Sequence, residues 1–431
     1  MNPYTAESLE QIWTGLQRKS ARSRRNLPVG PDGSRAEVFA RNLRANLREI
    51  ARLVDRTDRT GEPAHTFAPL LRMERPKRSG GARIIHIPRL RDQVLLRAMY
   101  EDVVSAAARQ GVSLRTQSPS RLLECFRADL TPGALVLRTD VRDFFASVPR
   151  ERVVACVASL PTAPRTGPLL AKWSETLRAR NQWMTGRDRD APITGLPPGV
   201  SISSCLAELW MSGLDAEMRD RTAYHRFVDD IAIICTSESS ASQELDCLSS
   251  RIRTLGLELS PAKTSIHRLE SGVPWLGLVH FGDRVLIEAG RTNSWLRRFA
   301  SIRQRAGEAL ALHDANKDEI LTDFHRAIRA EITGRSSSRP AWYAATTDDA
   351  AWRDLDRSLH AIIRSLHRQA GAPPPTGRRL PSIHRAIRAR LRATQHSAPS
   401  KADQGQRARC PSTGATNADQ GRIASDGAEP S

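Results

Sequence analysis

Two neighbouring aspartates, Asp229 and Asp230, lie inside a run of residues that favour β-strands. Phe227 and Val228 come before them, and residues 231–234 are all apolar. A buried carboxylate is unfavourable unless it is paired or binds a metal ion. Adjacent residues of a strand point to opposite faces, so only a tight turn brings two such acids together. The pattern therefore predicts a hairpin that carries both aspartates at its tip.

A third carboxylate, Asp140, follows a short apolar stretch over residues 135–137 that predicts a buried strand. Carboxylates that lie close together repel one another, and divalent cations relieve that repulsion. Mg²⁺ prefers oxygen ligands and substrate phosphates, and a pair of such ions can assist an in-line phosphoryl displacement. A lone Asp-Asp pair is more often a solvated turn, but the flanking strands and Asp140 favour a metal site.

The remaining pattern predicts a mixed α and β chain. Apolar residues at spacings of three and four predict one amphipathic helix from Val38 to Leu53, with Phe39, Leu43, Leu47 and Ile50. Ser79-Gly80-Gly81 predicts a tight turn before a strand that Pro88 ends. Residues 159–190 read as a helical insert, residues 273–287 as a hairpin, and residues 291–370 as helices.

The net charge of +19 arises from 66 basic and 47 acidic residues, and six of the basic residues are lysines. Such an excess favours a polyanionic partner, of which nucleic acid is the commonest. The six cysteines show no C-x-x-C spacing and no accompanying histidine pair, which argues against a structural zinc site. No signal peptide and no apolar stretch long enough for a membrane span is recognisable, so we predict a cytoplasmic protein without a membrane partner.

Six segments, taken in order from about residue 72 to residue 280, resemble the motifs of the reverse transcriptase family. They read PKRSGGARIIHIPRLRDQV, TDVRDFFASV, GLPPGVSISSCLAEL, FVDD, LELSPAKTSI and WLGL. The FVDD segment resembles the Y-x-D-D hairpin of the family, with Phe227 in place of tyrosine. Any one of these matches is weak, but six in the same order and spacing are specific. The segments LAEL, GLD and RFVDD most resemble the corresponding segments of the abortive-infection and phage-defence branch of the family.

The resemblance implies a role for particular residues. The metal ligands would be Asp140, Val141, Asp229 and Asp230, holding two Mg²⁺ ions or Mn²⁺ in their place. Lys263 would be the general acid for pyrophosphate, so the catalytic set is the three aspartates and Lys263. The expected substrate-binding residues are Lys77, Arg83, Phe145, Pro198 and Gly199, and the expected primer grip is Trp275, Leu276 and Gly277.

Within the substrate set, Lys77 and Arg83 would contact the triphosphate. Phe145 would be the steric gate that excludes a ribose 2′-OH, while one of Phe144 and Phe145 is expected to be core. Pro198 and Gly199 belong to a turn that lets template and nucleotide approach the backbone. Many family members have glutamine where this chain has Pro198, and intron-type enzymes have asparagine where it has Glu208.

The implied fold is α+β, a right-hand polymerase with fingers and an antiparallel-sheet palm, followed by a helical thumb. We expect a basic helical extension over residues 1–70, fingers and palm over 71–282, a thumb over 283–394 and a disordered tail over 395–431. Arginines of the thumb could follow a duplex backbone; they are Arg297, Arg298, Arg303 and Arg305.

The implied function is RNA-directed DNA synthesis from dNTPs on an RNA template with a DNA or RNA primer, in bacterial antiviral defence. A noncoding RNA or a companion defence protein would be a further partner. A retron or mobile-element enzyme and an untemplated palm nucleotidyltransferase are alternatives. An RNA polymerase is disfavoured, because Gly-Asp-Asp would be expected in place of Val-Asp-Asp and Phe145 would exclude ribonucleotides. The alternative outside enzymes is an inactive palm that binds RNA.

Overall fold

The computed structural model describes residues 2–23, 27, 29–59, 61–76, 82–115, 118–181, 190–312, 314–332, 346–347, 349–376 and 381–386. The helices in this part of the chain are α1 (Ala6–Ser23), α2 (Ala36–Arg41), α3 (Leu43–Asp55), α4 (Leu90–Arg109), α5 (Pro119–Asp129), α6 (Phe144–Ser147), α7 (Arg150–Val157), α8 (Thr166–Glu175), α9 (Ser201–Arg221), α10 (Glu238–Thr254), α11 (Ala289–Leu310), α12 (Lys317–Ile332) and α13 (Asp349–Ala370). The strands are β1 (Leu70–Pro76), β2 (Ala82–Ile87), β3 (Leu135–Asp140), β4 (Arg178–Asn181), β5 (Asp190–Pro192), β6 (Ala223–Phe227), β7 (Asp230–Cys235), β8 (Ser265–Arg268), β9 (Val273–Trp275), β10 (Leu278–Phe281) and β11 (Arg284–Ile287).

The central sheet has the strand order β6–β7–β3–β8, and every pairing in it is antiparallel. Its two central strands, β3 and β7, are rich in Val, Ile and Leu because both of their faces are buried. Leu137 and Ile233 belong to one apolar core, which includes α4, α9 and α10. Val136 and Ala232 belong to a second core, which includes α5 and α11 to α13. The sheet therefore separates two cores, as the alternation of side chains along a strand requires.

A second sheet has the order β2–β1–β4–β5. Strand β2 is the strand predicted to end before Pro88, and it pairs antiparallel with β1. The predicted turn at Ser79-Gly80-Gly81 lies outside the described residues. The predicted helical insert over residues 159–190 is only partly correct. Helix α8 is present, but residues 178–181 are strand β4, which pairs in parallel with β1. That pairing gives backbone partners to a segment whose composition alone did not indicate a strand.

The third sheet has the order β11–β10–β9. The single hairpin predicted over residues 273–287 is therefore two successive hairpins that share β10. Helices α11, α12 and α13 follow it, as predicted, and pack against one another through the second core. Trp295 and Trp352 contact each other there, with their ring centroids 5.6 Å apart. This arrangement joins the C-terminal helices to the same core that lies under the central sheet.

The predicted amphipathic helix from Val38 to Leu53 is broken at Asn42, between α2 and α3. At the break the Asn42 backbone leaves the helical region, with φ −118° and ψ 35°. As a result Val38 is 56% exposed, and Val54 is fully buried in place of Leu53. The N-terminal helices contribute Trp13, Phe39 and other side chains to the core that contains α4.

The arginines expected to follow a duplex divide into two pairs on α11. Arg298 forms an ion pair with Glu331, and Arg303 donates to Ser365 and Gln369 at 3.2 Å each. Arg297 and Arg305 are exposed. Two of the four side chains therefore connect helices of the C-terminal bundle.

The expected tail over residues 395–431 lies outside the described residues. Among the helices that are described, none combines the length and the apolar character that crossing a lipid bilayer would need.

We predict that Trp13→Ala destabilises the whole chain. Trp13 is 2% exposed, and its ring centroid lies 4.9 Å from that of Phe39. Truncating a buried Trp to Ala removes about 3–5 kcal/mol from the free energy of unfolding. Urea unfolding followed by circular dichroism measures the change.

The control for this experiment is Leu312→Ala, because Leu312 is 69% exposed. The control should stay within about 0.5 kcal/mol of wild type. Equal midpoints for Trp13→Ala and wild type would mean that the N-terminal helices are not part of the cooperative core.

Candidate active site

The predicted hairpin of Asp229 and Asp230 is formed by β6 and β7. Phe227 pairs with Asp230, which leaves Val228 and Asp229 as a two-residue turn. Val228 has φ +62°, a left-handed conformation that is rare for a β-branched residue. A positive φ at the first turn residue is the geometry that hairpins with short loops use. The prediction that both aspartates lie at the tip of a hairpin is confirmed.

Asp140 lies beside this tip because β3 pairs with β7. In that register Asp140 is directly opposite Asp230. The backbone N–H of Val141 donates to the carbonyl of Asp229 at 2.9 Å, which fixes the turn against the end of β3. Residues from two segments that are distant in sequence therefore present three carboxylates at one end of the central sheet.

Basic side chains contact two of the three carboxylates. Lys263, which ends a short 3₁₀ turn, donates from Nζ to Asp140 Oδ1 at 2.7 Å. Asp230 Oδ1 accepts from Arg138 Nη2 at 3.3 Å and from the indole Nε1–H of Trp275 at 3.2 Å. Lys263 is 61% exposed, so its ion pair is worth little in stability. These contacts reduce the repulsion among the acids.

Burial and mutual repulsion perturb two of these acids. Burial raises the pKa of Asp229, the Asp140 carboxylate raises it further, and Lys263 and Arg83 oppose the rise. Burial also raises the pKa of Asp230, against the nearby Arg138 guanidinium. Perturbed acids in a cleft are typical of functional sites, and a bound cation would lower both pKa values.

The donor chemistry of this site suits a hard divalent cation. The side chains of Asp140, Asp229 and Asp230 offer carboxylate oxygens, the ligand type that Mg²⁺ prefers. Val141 has an apolar side chain, so it could contribute only its backbone carbonyl. Within the described residues, however, no three acidic, histidine or cysteine groups already converge on one point.

A cavity of about 280 Å³ lies in front of the three carboxylates. It is lined by Arg138, Asp140, Phe227, Asp229, Asp230, Pro274, Trp275, Leu276, Gly277, Glu288 and Arg291. The residues expected to form the primer grip therefore border the same space as the aspartates. The Trp275 side chain is only 1% exposed, so it faces Asp230 and the second core.

Leu276 and Gly277 form a two-residue turn between β9 and β10, with φ +49° and +82°. Glycine is required at the second position for a further reason. A Cβ at Gly277 would come within 2.5 Å of Arg291 Nε, so this guanidinium lies directly over the turn. The N-terminus of α11 is thereby attached to the hairpin that borders the cavity.

Among the expected substrate-binding residues that the structure describes, namely Arg83, Phe145, Pro198 and Gly199, none lines this cavity. Pro198 and Gly199 pack against β2, where the Pro198 carbonyl accepts from the His86 N–H at 2.7 Å. A Cβ at Gly199, whose φ is +97°, would lie 3.0 Å from the His86 carbonyl oxygen. The close approach that requires this glycine is therefore to the strand β2 of the same chain.

The other members of the substrate set are placed as follows. Phe144 is buried in the core and Phe145 is half-buried, which confirms that one of the two is core. Arg83 is exposed on β2 and influences Asp229 electrostatically. Lys77 lies outside the described residues.

Sequence reasoning did not single out Arg138, Arg226 or Arg291 at this site. Arg138 was detectable in principle, because it precedes Asp140 by two positions and thus shares its face of β3. Arg226 directly precedes the FVDD segment, but an arginine inside a strand gave no sign of its partners. Arg291 reaches the cavity only through the packing of α11 on the β9–β10 turn.

The fold and the three carboxylates define a right-hand polymerase, with an antiparallel palm sheet and fingers strands beside it. Residues 75–280 match the family model described as reverse transcriptase (RNA-dependent DNA polymerase). These residues therefore form a reverse transcriptase domain. The matched range agrees with the span of the six motifs.

Solved structures similar to this chain include apo telomerase from Candida tropicalis, at 12% identity and a TM-score of 0.43. That match covers 86% of this chain and 72% of the telomerase chain. Telomerase from Candida albicans in complex with a TWJ fragment of telomeric RNA matches at 11% identity and a TM-score of 0.39, covering 86% and 70%. No curated protein sequence matches the chain.

We predict that Asp229→Asn stabilises the protein when no metal is present. The folded-state pKa of Asp229 is raised, so stability falls as pH rises from the unfolded-state pKa to the folded-state pKa, and the penalty persists above it. Removing the charge at pH 7.5 should raise the melting temperature by roughly 2–4 °C, the effect of about 1 kcal/mol. Differential scanning fluorimetry in EDTA measures this change.

Adding Mg²⁺ should then raise the melting temperature of wild type more than that of Asp229→Asn. Asp246→Asn serves as the control, since Asp246 is an exposed acid on α10. A lower melting temperature for Asp229→Asn in EDTA, together with no effect of Mg²⁺ on wild type, would contradict the metal-site interpretation.

Proposed function

We propose that this chain is an RNA-directed DNA polymerase that adds dNTPs to a primer annealed to an RNA template. The observation that carries the proposal is the shared cavity. Asp140, Asp229 and Asp230 border the same space as the Leu276-Gly277 turn of the expected primer grip. A primer end at that turn would lie beside the carboxylates, which is the arrangement that nucleotide addition requires.

In this proposal the three aspartates and the Val141 carbonyl hold two Mg²⁺ ions, or Mn²⁺ in their place. When bound, such ions stabilise the attacking and leaving oxygens of an in-line displacement. The residues of the chain position the carboxylates and provide their charge. Asp140 ends β3 and Asp229 lies in the turn between β6 and β7, and the β3–β7 pairing brings the two together. Arg138 and Trp275 orient Asp230 through its Oδ1 atom.

Lys263 is the proposed general acid. The primer 3′-hydroxyl would lose its proton to solvent, and its oxygen would form a bond to the α-phosphorus while the bond from that phosphorus to the pyrophosphate oxygen breaks. A proton from Lys263 Nζ would then neutralise the leaving pyrophosphate. The present contact of Lys263 with Asp140 places the ammonium at the edge of the site, and its 61% exposure leaves it accessible to a triphosphate.

Basic residues of the fingers are proposed to bind the triphosphate, with Arg83 and Lys77 on or beside the β1–β2 pair. The effect of Arg83 on the Asp229 carboxyl supports this placement, because it puts a positive charge toward the acids. We assign fingers and palm to residues 71–282, the thumb to 283–394 and a helical extension to 1–70. The tail over 395–431 stays a prediction.

The first experiment is incorporation of labelled dNTPs and NTPs by the purified protein with Mg²⁺, with and without a primed RNA template. Asp229→Ala/Asp230→Ala should lower incorporation by at least ~10³-fold, since two ligands of the proposed metal site are lost. Asp246→Ala is the matched control on an exposed acid and should retain wild-type activity.

Each outcome of this assay has a distinct meaning. Template-dependent dNTP incorporation that the double variant loses supports the proposal. Incorporation without a template indicates an untemplated nucleotidyltransferase and makes Pro198 the residue to examine. If the wild-type protein incorporates neither nucleotide but retains RNA, the enzyme proposal fails and an RNA-binding palm remains.

We predict that Phe145→Ala lowers the selectivity of the enzyme for dNTPs over NTPs. If the half-buried Phe145 ring excludes a 2′-OH, its removal should raise the NTP-to-dNTP incorporation ratio about tenfold, or ~1.4 kcal/mol of discrimination. Competition between labelled NTP and dNTP at a single template position measures the ratio.

Phe281→Ala is the control for the sugar experiment, because it removes another half-buried phenyl ring, at the end of β10, that is not among the expected substrate-binding residues. It should leave the ratio unchanged. An unchanged ratio in Phe145→Ala would exclude Phe145 as the gate.

A role in bacterial antiviral defence rests on the style of the LAEL, GLD and RFVDD segments. Under this proposal a noncoding RNA or a companion defence protein accompanies the enzyme. Expression of the chain with its neighbouring genes should reduce phage plating, and Asp229→Ala should abolish the protection. Protection that survives Asp229→Ala would separate defence from polymerisation.

A further inference from the structure

Arg226 is a buried arginine on β6, the first strand of the hairpin that carries Asp229 and Asp230. Its side chain is 3% exposed. The guanidinium donates from Nε to Asp215 Oδ1 at 2.8 Å and from Nη2 to Glu208 Oε2 at 2.7 Å. The third nitrogen, Nη1, donates to the backbone carbonyl of Val228 at 2.8 Å. One planar group thus connects two carboxylates of α9 to the hairpin turn.

The two carboxylates explain why an arginine can lie in this place. The side chains of Asp215 and Glu208 are 8% and 14% exposed, and Tyr224 adds a hydrogen bond from its hydroxyl to Asp215 Oδ1 at 3.0 Å. A buried charge persists only when its partners satisfy it with good geometry. Glu208 is the residue at which this chain departs from the asparagine of intron-type enzymes, and here it has a definite partner.

The carbonyl that Arg226 holds belongs to the most strained residue of the hairpin. Val228 has φ +62°, and a β-branched residue in that conformation costs about 1–3 kcal/mol unless its surroundings impose it. The next residue is Asp229, whose own carbonyl accepts from Val141. The turn is therefore fixed on two sides, by Arg226 at Val228 and by the end of β3 at Asp229.

We propose that Arg226, oriented by Glu208 and Asp215, is a positioning residue for the metal site. It holds the Val228 carbonyl, and thereby the turn, in the shape that presents Asp229 beside Asp140. The proposal rests on the metal-binding role of these aspartates in the proposed function. Arg226 itself touches neither substrate nor metal.

A conservative substitution separates the positioning role from simple charge pairing. In Arg226→Lys the ammonium can still pair with Asp215 or Glu208, but it lacks the planar fork that reaches three acceptors together. The bond to the Val228 carbonyl is then lost while the buried carboxylates keep a cation. The matched control is Tyr224→Phe, which removes one hydrogen bond from the same network and leaves the contact of Arg226 with Val228 intact.

The test is binding of Mn²⁺ to the full-length protein, followed by the loss of the free-ion electron paramagnetic resonance signal, beside thermal unfolding. Asp229→Ala/Asp230→Ala defines the signal that belongs to the site. Arg226→Lys should weaken site-specific Mn²⁺ binding about tenfold or more, and Tyr224→Phe should change it less than twofold. Both variants should melt at a lower temperature than wild type.

Two results would overturn the inference. One is wild-type Mn²⁺ affinity in Arg226→Lys, and the other is equal weakening in Tyr224→Phe, which would mark the network as merely stabilising. If Arg226→Lys does not fold, Glu208→Gln takes its place, since it keeps the shape and removes one charge that orients Arg226. Wild-type Mn²⁺ affinity in Glu208→Gln would likewise overturn the inference.

The dNTP incorporation assay separates this inference from the proposed function. If Mn²⁺ binding depends on Asp229 and on Arg226 but no nucleotide is incorporated, the positioning role stands and the polymerase proposal fails. If wild type shows no Mn²⁺ binding that depends on the aspartates, both are overturned.

Discussion

The register between β3 and β7 is the constraint on which the rest of this structure depends. It places Asp140 opposite Asp230, and it also assigns Leu137 and Ile233 to one core and Val136 and Ala232 to the other. A slip of one residue would exchange the two faces and bury the wrong side chains. The hydrophobic effect that fixes the sheet therefore also fixes the acids, although they take no part in either core.

The electrostatics of the site follow from that placement. Three carboxylates gathered by an apolar framework repel one another, and burial raises the pKa of Asp229 and Asp230. The chain offsets part of this repulsion with Lys263, Arg138 and Arg83, which come from three different segments. On the proposed function, the two metal ions would take over that compensation, because they bring positive charge among the carboxylates.

Two short hairpin turns shape the cavity, and both use a non-glycine residue with positive φ at the first turn position. Val228 begins the turn of the aspartates, and Leu276 begins the turn between β9 and β10. An arginine lies at each turn: Arg226 donates to the Val228 carbonyl, and the Arg291 guanidinium lies over Gly277. Strain of this kind persists only when the surrounding structure imposes it, which gives these two arginines a common structural task.

The sequence by itself determined the fold class, the hairpin with its two aspartates, the strand that leads to Asp140, and the reverse transcriptase family. Apolar runs of β-formers and ordered motifs are local signals, so the sequence alone is enough to predict these features. The break at Asn42 and strand β4 escaped sequence reasoning, because packing and pairing with distant segments decide them. Tertiary structure alone decided the contacts of Arg226 with Glu208 and of Trp275 with Asp230. These contacts join residues from separate elements, and only the packing of the elements brings such side chains within hydrogen-bonding distance.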